Sequence, residues 1–268
     1  MKQKPKGRPF LEVFASAVQE DYRFPLLEIF AFLYALSTFV FAGMSFGGYG
    51  SSEQSAYSLV SALMSIPLNI FMLLVFKNIA FGLGSDLEKG TIQTTLSYPL
   101  KRHAILTAKL LSAIGVALLL LFGIQILGLT VVAAGIIREG IHVVILTYVA
   151  SLGYPLLLSA IILFVALWVK KGGLALVLGI VMSFAFSVIQ GIALIIAMFN
   201  RTAVPFQILA IINPSMALQY HYSPITSFGG IVWNPSLIEV VTDVCACYAL
   251  VALALALCYY YFSRRLNL

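Results

Sequence analysis

Outside the termini, this sequence has one large charged segment. Between two long apolar stretches runs Gly84-Ser85-Asp86-Leu87-Glu88-Lys89-Gly90-Thr91-Ile92. Tyr98-Pro99-Leu100-Lys101-Arg102-His103 follows, with Lys109 a further seven residues after Arg102. Asp86 and Glu88 can accept and Arg102 and Lys109 can donate, so the segment can make charge-assisted hydrogen bonds to itself or to a protein partner. The Ser85…Glu88 spacing predicts a capping box with a helix starting at Asp86, and Asp86 and Glu88 suit the positive end of that helix. Tyr98-Pro99 predicts its end, and a second helix is expected from near Leu100. The result is a short helical elbow. Glu88 and Arg102 are expected to pair with each other or with a partner, and Lys109 to snorkel to the membrane surface.

Catalytic chemistry finds little support elsewhere. His103, His142 and His221 are scattered, and neither HExxH nor GxSxG occurs. Cys245, Cys247 and Cys258 lie in the last apolar stretch. Positions 245 and 247 point to different sides of a helix, so they read as packing residues, not as a disulfide or metal pair. Gly-x-x-x-x-Gly-Lys-Ser/Thr, the phosphate-binding loop of many ATPases, is absent from the chain.

The elements that must position the charged segment are membrane spans. Of 268 residues, 61% are hydrophobic and 10% charged, with a mean hydropathy of +1.02; a soluble domain carries about 25% charged residues. A spanning helix needs about 20 apolar residues, and six stretches qualify: Leu26 to Phe46, Ala56 to Ile79, a run within Ile105 to Ile137, Val143 to Val169 with a kink expected at Pro155, Leu174 to Phe199, and Val240 to Phe262. With the N-terminus inside, 14 of the 16 basic residues fall on the cytoplasmic side and only Arg138 and Arg201 outside. The positive-inside rule thus predicts both termini and the elbow in the cytoplasm. The net charge of +6 is therefore read by position, and no nucleic-acid partner is expected.

Residues 1–24 lack the apolar core of a signal peptide. Within them Arg8 to Arg23 predict an amphipathic helix in the membrane surface, its polar stripe formed by Glu12, Ser16, Gln19, Glu20 and Arg23. Pro25 is expected to break the chain before it enters the bilayer. Residues 200–239 hold Pro205, Pro214, Pro224 and Pro235 yet stay rich in apolar side chains. That suits short helices dipping into the outer leaflet. Asn200-Arg201-Thr202 is a glycosylation sequon on that side.

Inside the spans, Ser58, Ser61, Ser65 and Asn69 share one face of the second, and Ser183, Ser187 and Gln190 one face of the fifth. Such residues either line a pathway or let helices pack. Gln125 stands alone and reads as structural. Glu239 and Asp243 share a face near the outer end of the sixth span.

The pattern acidic-x-Gly-Thr-(Leu/Ile), Pro-x-x-Arg and a Lys seven residues later is carried here by Glu88, Gly90, Thr91, Ile92, Pro99, Arg102 and Lys109. It resembles the cytoplasmic signature of export-type ABC transporter permeases, the type-2 ABC membrane family; His103 after the arginine departs from it. The resemblance implies one all-α transmembrane domain over residues 1–268, with six spans and an N-terminal interfacial helix. It also implies a cytoplasmic coupling segment at 82–109, including Asp86, and re-entrant short helices before the last span. It implies separate ATP-binding subunits carrying ATP and Mg, no cofactor or metal in this chain, and a second permease copy, identical or related. The two serine faces would then border the path of a lipid, amphipathic drug, peptide or glycan across the plasma membrane. Two other classes compete. An ion-coupled secondary transporter commonly keeps charges near the midplane, which these spans lack. A membrane-embedded lipid-modifying enzyme needs clustered catalytic groups, and none is visible.

Overall fold

The computed structural model describes residues 9–44, 52–96, 100–227 and 230–264. In chain order the helices are α1 Pro9–Asp21, α2 Leu26–Met44, α3 Ser52–Asn78, α4 Ser85–Lys89, α5 Ile92–Leu96, α6 Arg102–Leu110 and α7 Ala117–Glu139. They continue with α8 Ile141–Val169, α9 Gly172–Asn200, α10 Val204–Ile212, α11 Pro214–Tyr222 and α12 Leu237–Arg264. Two π-helical segments, Ile79–Gly84 and Leu111–Val116, join α3 to α4 and α6 to α7.

Among the described residues five helical stretches are long and apolar enough to cross a membrane: Ser52–Lys89, Arg102–Val131, Ile141–Val169, Gly172–Asn200 and Leu237–Arg264. A sixth candidate is the pair formed by α1 and α2, which meet at a bend of 68°. Pro25 sits in that bend, as its missing N–H and fixed φ require. A 29-residue helix such as α8 is about 44 Å long, ample for a hydrocarbon core of about 30 Å. α8 runs unbroken through Pro155, and packs against α3, α9, α11 and α12 as the central helix. α9 is the least covered, with 11% of its apolar window buried against 61% in α8.

One buried polar hub ties four of these helices together. Gln125 is 0% exposed. Its amide donates to Thr38 Oγ1 at 2.9 Å and to the Leu63 carbonyl at 3.0 Å, and its oxygen accepts from the Tyr148 hydroxyl at 3.0 Å. With every partner supplied, Gln125 costs little to bury, in agreement with its structural reading.

The stretch before α12 has its own small core. Pro205 and Pro214 open α10 and α11, where a proline loses no intrahelical bond. Phe206 stacks on Trp233 at 5.6 Å and meets Tyr220 edge-on. An all-α reading omits one element here: β1 Ile225–Ser227 pairs antiparallel with β2 Gly230–Trp233. β-Branched residues Ile225, Thr226, Ile231 and Val232 favour strand, and Gly230, at φ 120°, takes a conformation that other residues rarely adopt. Cys245 is exposed and Cys247 buried, and the three cysteines are free.

Candidate functional site: the charged elbow

The expected capping box at Ser85 does not form. Helix runs without a break from Ser52 to Lys89, and Ser85 itself is helical at φ −67°, ψ −36°. Its N–H already donates to the Ala80 carbonyl through the π segment. No orphan donors are left there for a cap to satisfy. The stop comes instead at Gly90, left-handed at φ 72°, the conformation that commonly ends helices and that glycine adopts without strain. Thr91 then donates from Oγ1 to Asp86 Oδ1 at 2.7 Å, folding the chain back into α5, where Ile92 is fully buried. Pro99 lies outside the described residues. Lys101, extended at φ −69° and ψ 143°, precedes α6.

Within the chain Glu88 pairs with a backbone group of α9, not with Arg102. Its Oε2 accepts the Gly172 N–H at 3.3 Å, at the first turn of α9, where an anion meets the positive end of a helix. The backbones touch at the same point. A Cβ on Gly84 would lie 2.7 Å from Gly172 Cα, and one on Gly172 would lie 2.2 Å from the Ala80 carbonyl oxygen. The elbow therefore abuts the start of α9 with no side chain between them. Arg102, free of Glu88, is exposed, as are Lys89, Thr91, Lys101 and His103.

Lys109 does not snorkel. It is 8% exposed, forms an ion pair with Asp86, approaches Glu20 Oε2 at 3.7 Å and donates to the Gly82 carbonyl at 3.2 Å. α1 covers it, because Val13, Ala17 and Asp21 form a buried stripe at i, i+4 and i+8 that packs on α6 and the second π segment. Asp21 continues the network, accepting from Ser112 Oγ through its carboxylate and from Lys77 Nζ through its carbonyl. Burial pushes the Asp21 carboxyl up to about 6, against the opposing pull of the Ser112 hydrogen bond and of Lys77. Burial also raises Glu20, with Lys109 opposing. The helix read as a membrane-surface element is thus also the inner wall of the elbow. Asp21, Ser112 and Gly172 do not stand out in the sequence, and Glu20 does so only as a member of the polar stripe of α1; the Val13-Ala17-Asp21 spacing is the available signal.

The elbow thus joins, within a few ångströms, the end of the α3 rod, the start of α6, the start of α9 and the surface helix α1. The family model described as ABC-2 family transporter protein matches residues 24–265.

The chain belongs to the ABC-2 transporter family.

It is a multi-pass membrane permease, a component of membrane transport and not itself an enzyme. No curated protein matches the chain. In this ABC-2 permease the two polar faces are partly open. Ser58, Ser65 and Asn69 of α3 are exposed and Ser61 half-buried; on α9 Ser187 is exposed, and Ser183 and Gln190 are half-buried. Ser65 and Ser187 donate to backbone carbonyls of their own helices, Asn69 to the Ser65 carbonyl, and Gln190 to Met216 Sδ. Among the described residues no group of three or more His, Cys, Asp or Glu is placed to hold a metal.

Proposed function

We propose that this chain is the membrane half of an ATP-driven exporter. ABC-2 permeases generally work with ATP-binding subunits. In our reading two permease copies, identical or related, flank the path, and separate ATP-binding subunits bind ATP and Mg at the cytoplasmic face. α1 lies in the inner surface, α2 completes a set of six spans, and α10 and α11 re-enter from the outside. Both termini and the elbow are cytoplasmic. The elbow residues Asp86, Glu88, Gly90, Thr91, Pro99, Arg102 and Lys109 form the coupling element. Ser58, Ser61, Ser65 and Asn69, with Ser183, Ser187 and Gln190, line the path of an amphipathic lipid, drug, peptide or glycan.

The observation that carries this reading is the direct contact of the elbow with α9. A partner gripping the exposed Lys89, Lys101 and Arg102 would push on an element whose Glu88 caps α9 and whose Gly84 touches Gly172. Close-packed backbones transmit displacement with little slack, so motion of the partner reaches α3 and α9 together, the two helices that carry the polar faces. ATPase activity of the reconstituted complex tests it. Glu88→Ala and Arg102→Ala should insert and retain the partner, yet lose transport and let stimulated ATPase fall toward the basal rate. Full stimulation and transport in both variants would refute the coupling role.

A further inference from the structure

Beneath α11, between α3 and α8, lies a cavity of about 170 Å³, far above the ~10–15 Å³ that one water needs. Ser61, Ser65, Thr147, Ser151, Ser215 and Gln219 supply its polar lining. It sits roughly 10–20 Å along α3 and α8 from their first residues, within the expected span of the bilayer. Only Ser61 and Ser65 belong to the serine faces read from the sequence; α8 and α11 bring the rest.

The lining is uncharged, so a phosphate, a carboxylate or an ammonium would enter a low-dielectric site with no counter-charge, which is costly. Three of its five serine and threonine hydroxyls spend their protons within the protein. Ser65 Oγ donates to the Ala62 carbonyl at 2.8 Å, Thr147 Oγ1 to the Val143 carbonyl at 2.7 Å, and Ser215 Oγ to Asn213 Oδ1 at 2.7 Å. A hydroxyl has one proton and two lone pairs, so with their protons engaged these oxygens keep only acceptor capacity for a ligand. Gln219 can both donate and accept. A ligand hydroxyl also does both, and so matches a mixed lining of this kind. Met64, Leu68 and Leu218 form an apolar wall beside the polar one, and the Tyr57 ring, stacked on Tyr222 at 4.7 Å, closes another side.

We infer that this cavity binds the uncharged, hydroxyl-bearing head group of an amphiphile, with the apolar body along Met64, Leu68 and Leu218. The inference rests on the permease reading and narrows its substrate class. Permease in lipid nanodiscs, without any ATP-binding subunit, is titrated with octyl glucoside, octyltrimethylammonium and octyl phosphate below their micellar concentrations. The dependence of the unfolding temperature on ligand concentration gives each apparent affinity. Octyl glucoside should bind at least about tenfold more tightly than the two charged probes. The Ser65→Ala/Thr147→Val double variant should weaken it by about fivefold or more, as should Ser215→Ala on α11, which covers the case of a misfolded double variant. Equal affinity for the three probes, no measurable binding, or unchanged octyl glucoside affinity in the folded variants would each overturn the inference. Glu88→Ala and Arg102→Ala should bind octyl glucoside as the parent does, so a failure of coupling and a failure of this site remain distinguishable.

Discussion

Asp21 is 4% exposed and accepts from Ser112, yet its carboxyl is pushed up to about 6 from an ordinary 3.8. Removal from water outweighs the hydrogen bond and the nearby lysine ammonium. Because the folded value lies above the unfolded one, the stabilisation is complete below about pH 3.8 and is lost as the pH rises through about 6. The swing is about 3 kcal/mol, since one unit is worth about 1.4 kcal/mol. Asp21→Asn should remove this swing. Thermal unfolding in detergent from pH 3.5 to 7 should therefore fall more steeply for the parent than for the variant. Parallel curves would mean that Asp21 stays ionised at little cost.

The contact between the elbow and α9 depends on the absence of a side chain. Gly172→Ala would set a methyl 2.2 Å from the Ala80 carbonyl oxygen, whereas a Cβ on Gly173 meets nothing within 4 Å. Overpacking of this kind costs about 1–3 kcal/mol. Gly172→Ala should lower the unfolding temperature and uncouple ATPase from transport, while Gly173→Ala should do neither. Neither glycine stands out in the sequence, because the need for one comes from another helix. The same holds for caps. Ser85…Glu88 and Ser236…Glu239 carry the same spacing, but only the second forms the reciprocal pair, with Ser236 N–H to Glu239 Oε2 at 2.7 Å and Glu239 N–H to Ser236 Oγ at 3.3 Å. Ser236 follows a non-helical stretch and its box meets orphan N–H groups; Ser85 follows a helix that had already paired them. The long spans were readable because lipid demands a continuous apolar run whatever the neighbours do. The buried stripe of α1, the reach of Lys109 and the strand pairing depend on tertiary partners, which periodicity does not reveal.

At the scale of the whole molecule, the topology we propose rests on the 14-to-2 distribution of basic residues that it produces. With Cys245, Cys247 and Cys258 replaced by alanine, Thr226→Cys in the hairpin should react with an impermeant maleimide added to intact cells. Lys101→Cys in the elbow should react only after lysis. The opposite pattern would invert the molecule and remove the elbow from any cytoplasmic ATPase. Light scattering of the solubilised complex should count two copies of this chain; a stable, active monomer is the contrary result. The exposed apolar face of α9, including Val181, Phe184 and Val188, is the surface such a second copy would be expected to cover in part.

The hub at Gln125 also bears on how the protein is made. Its partners come from α2, α3 and α8, and Tyr148 is the last of them to leave the ribosome. Until α8 has entered the bilayer, the Gln125 carbonyl lacks the hydroxyl it accepts from, and an unpaired amide in hydrocarbon is costly. Packed together before α8 arrives, α2, α3 and α7 would supply the two acceptors of the Gln125 amide but not the donor to its oxygen. One side chain therefore finds its full set of partners only after α2, α3, α7 and α8 have all been synthesised.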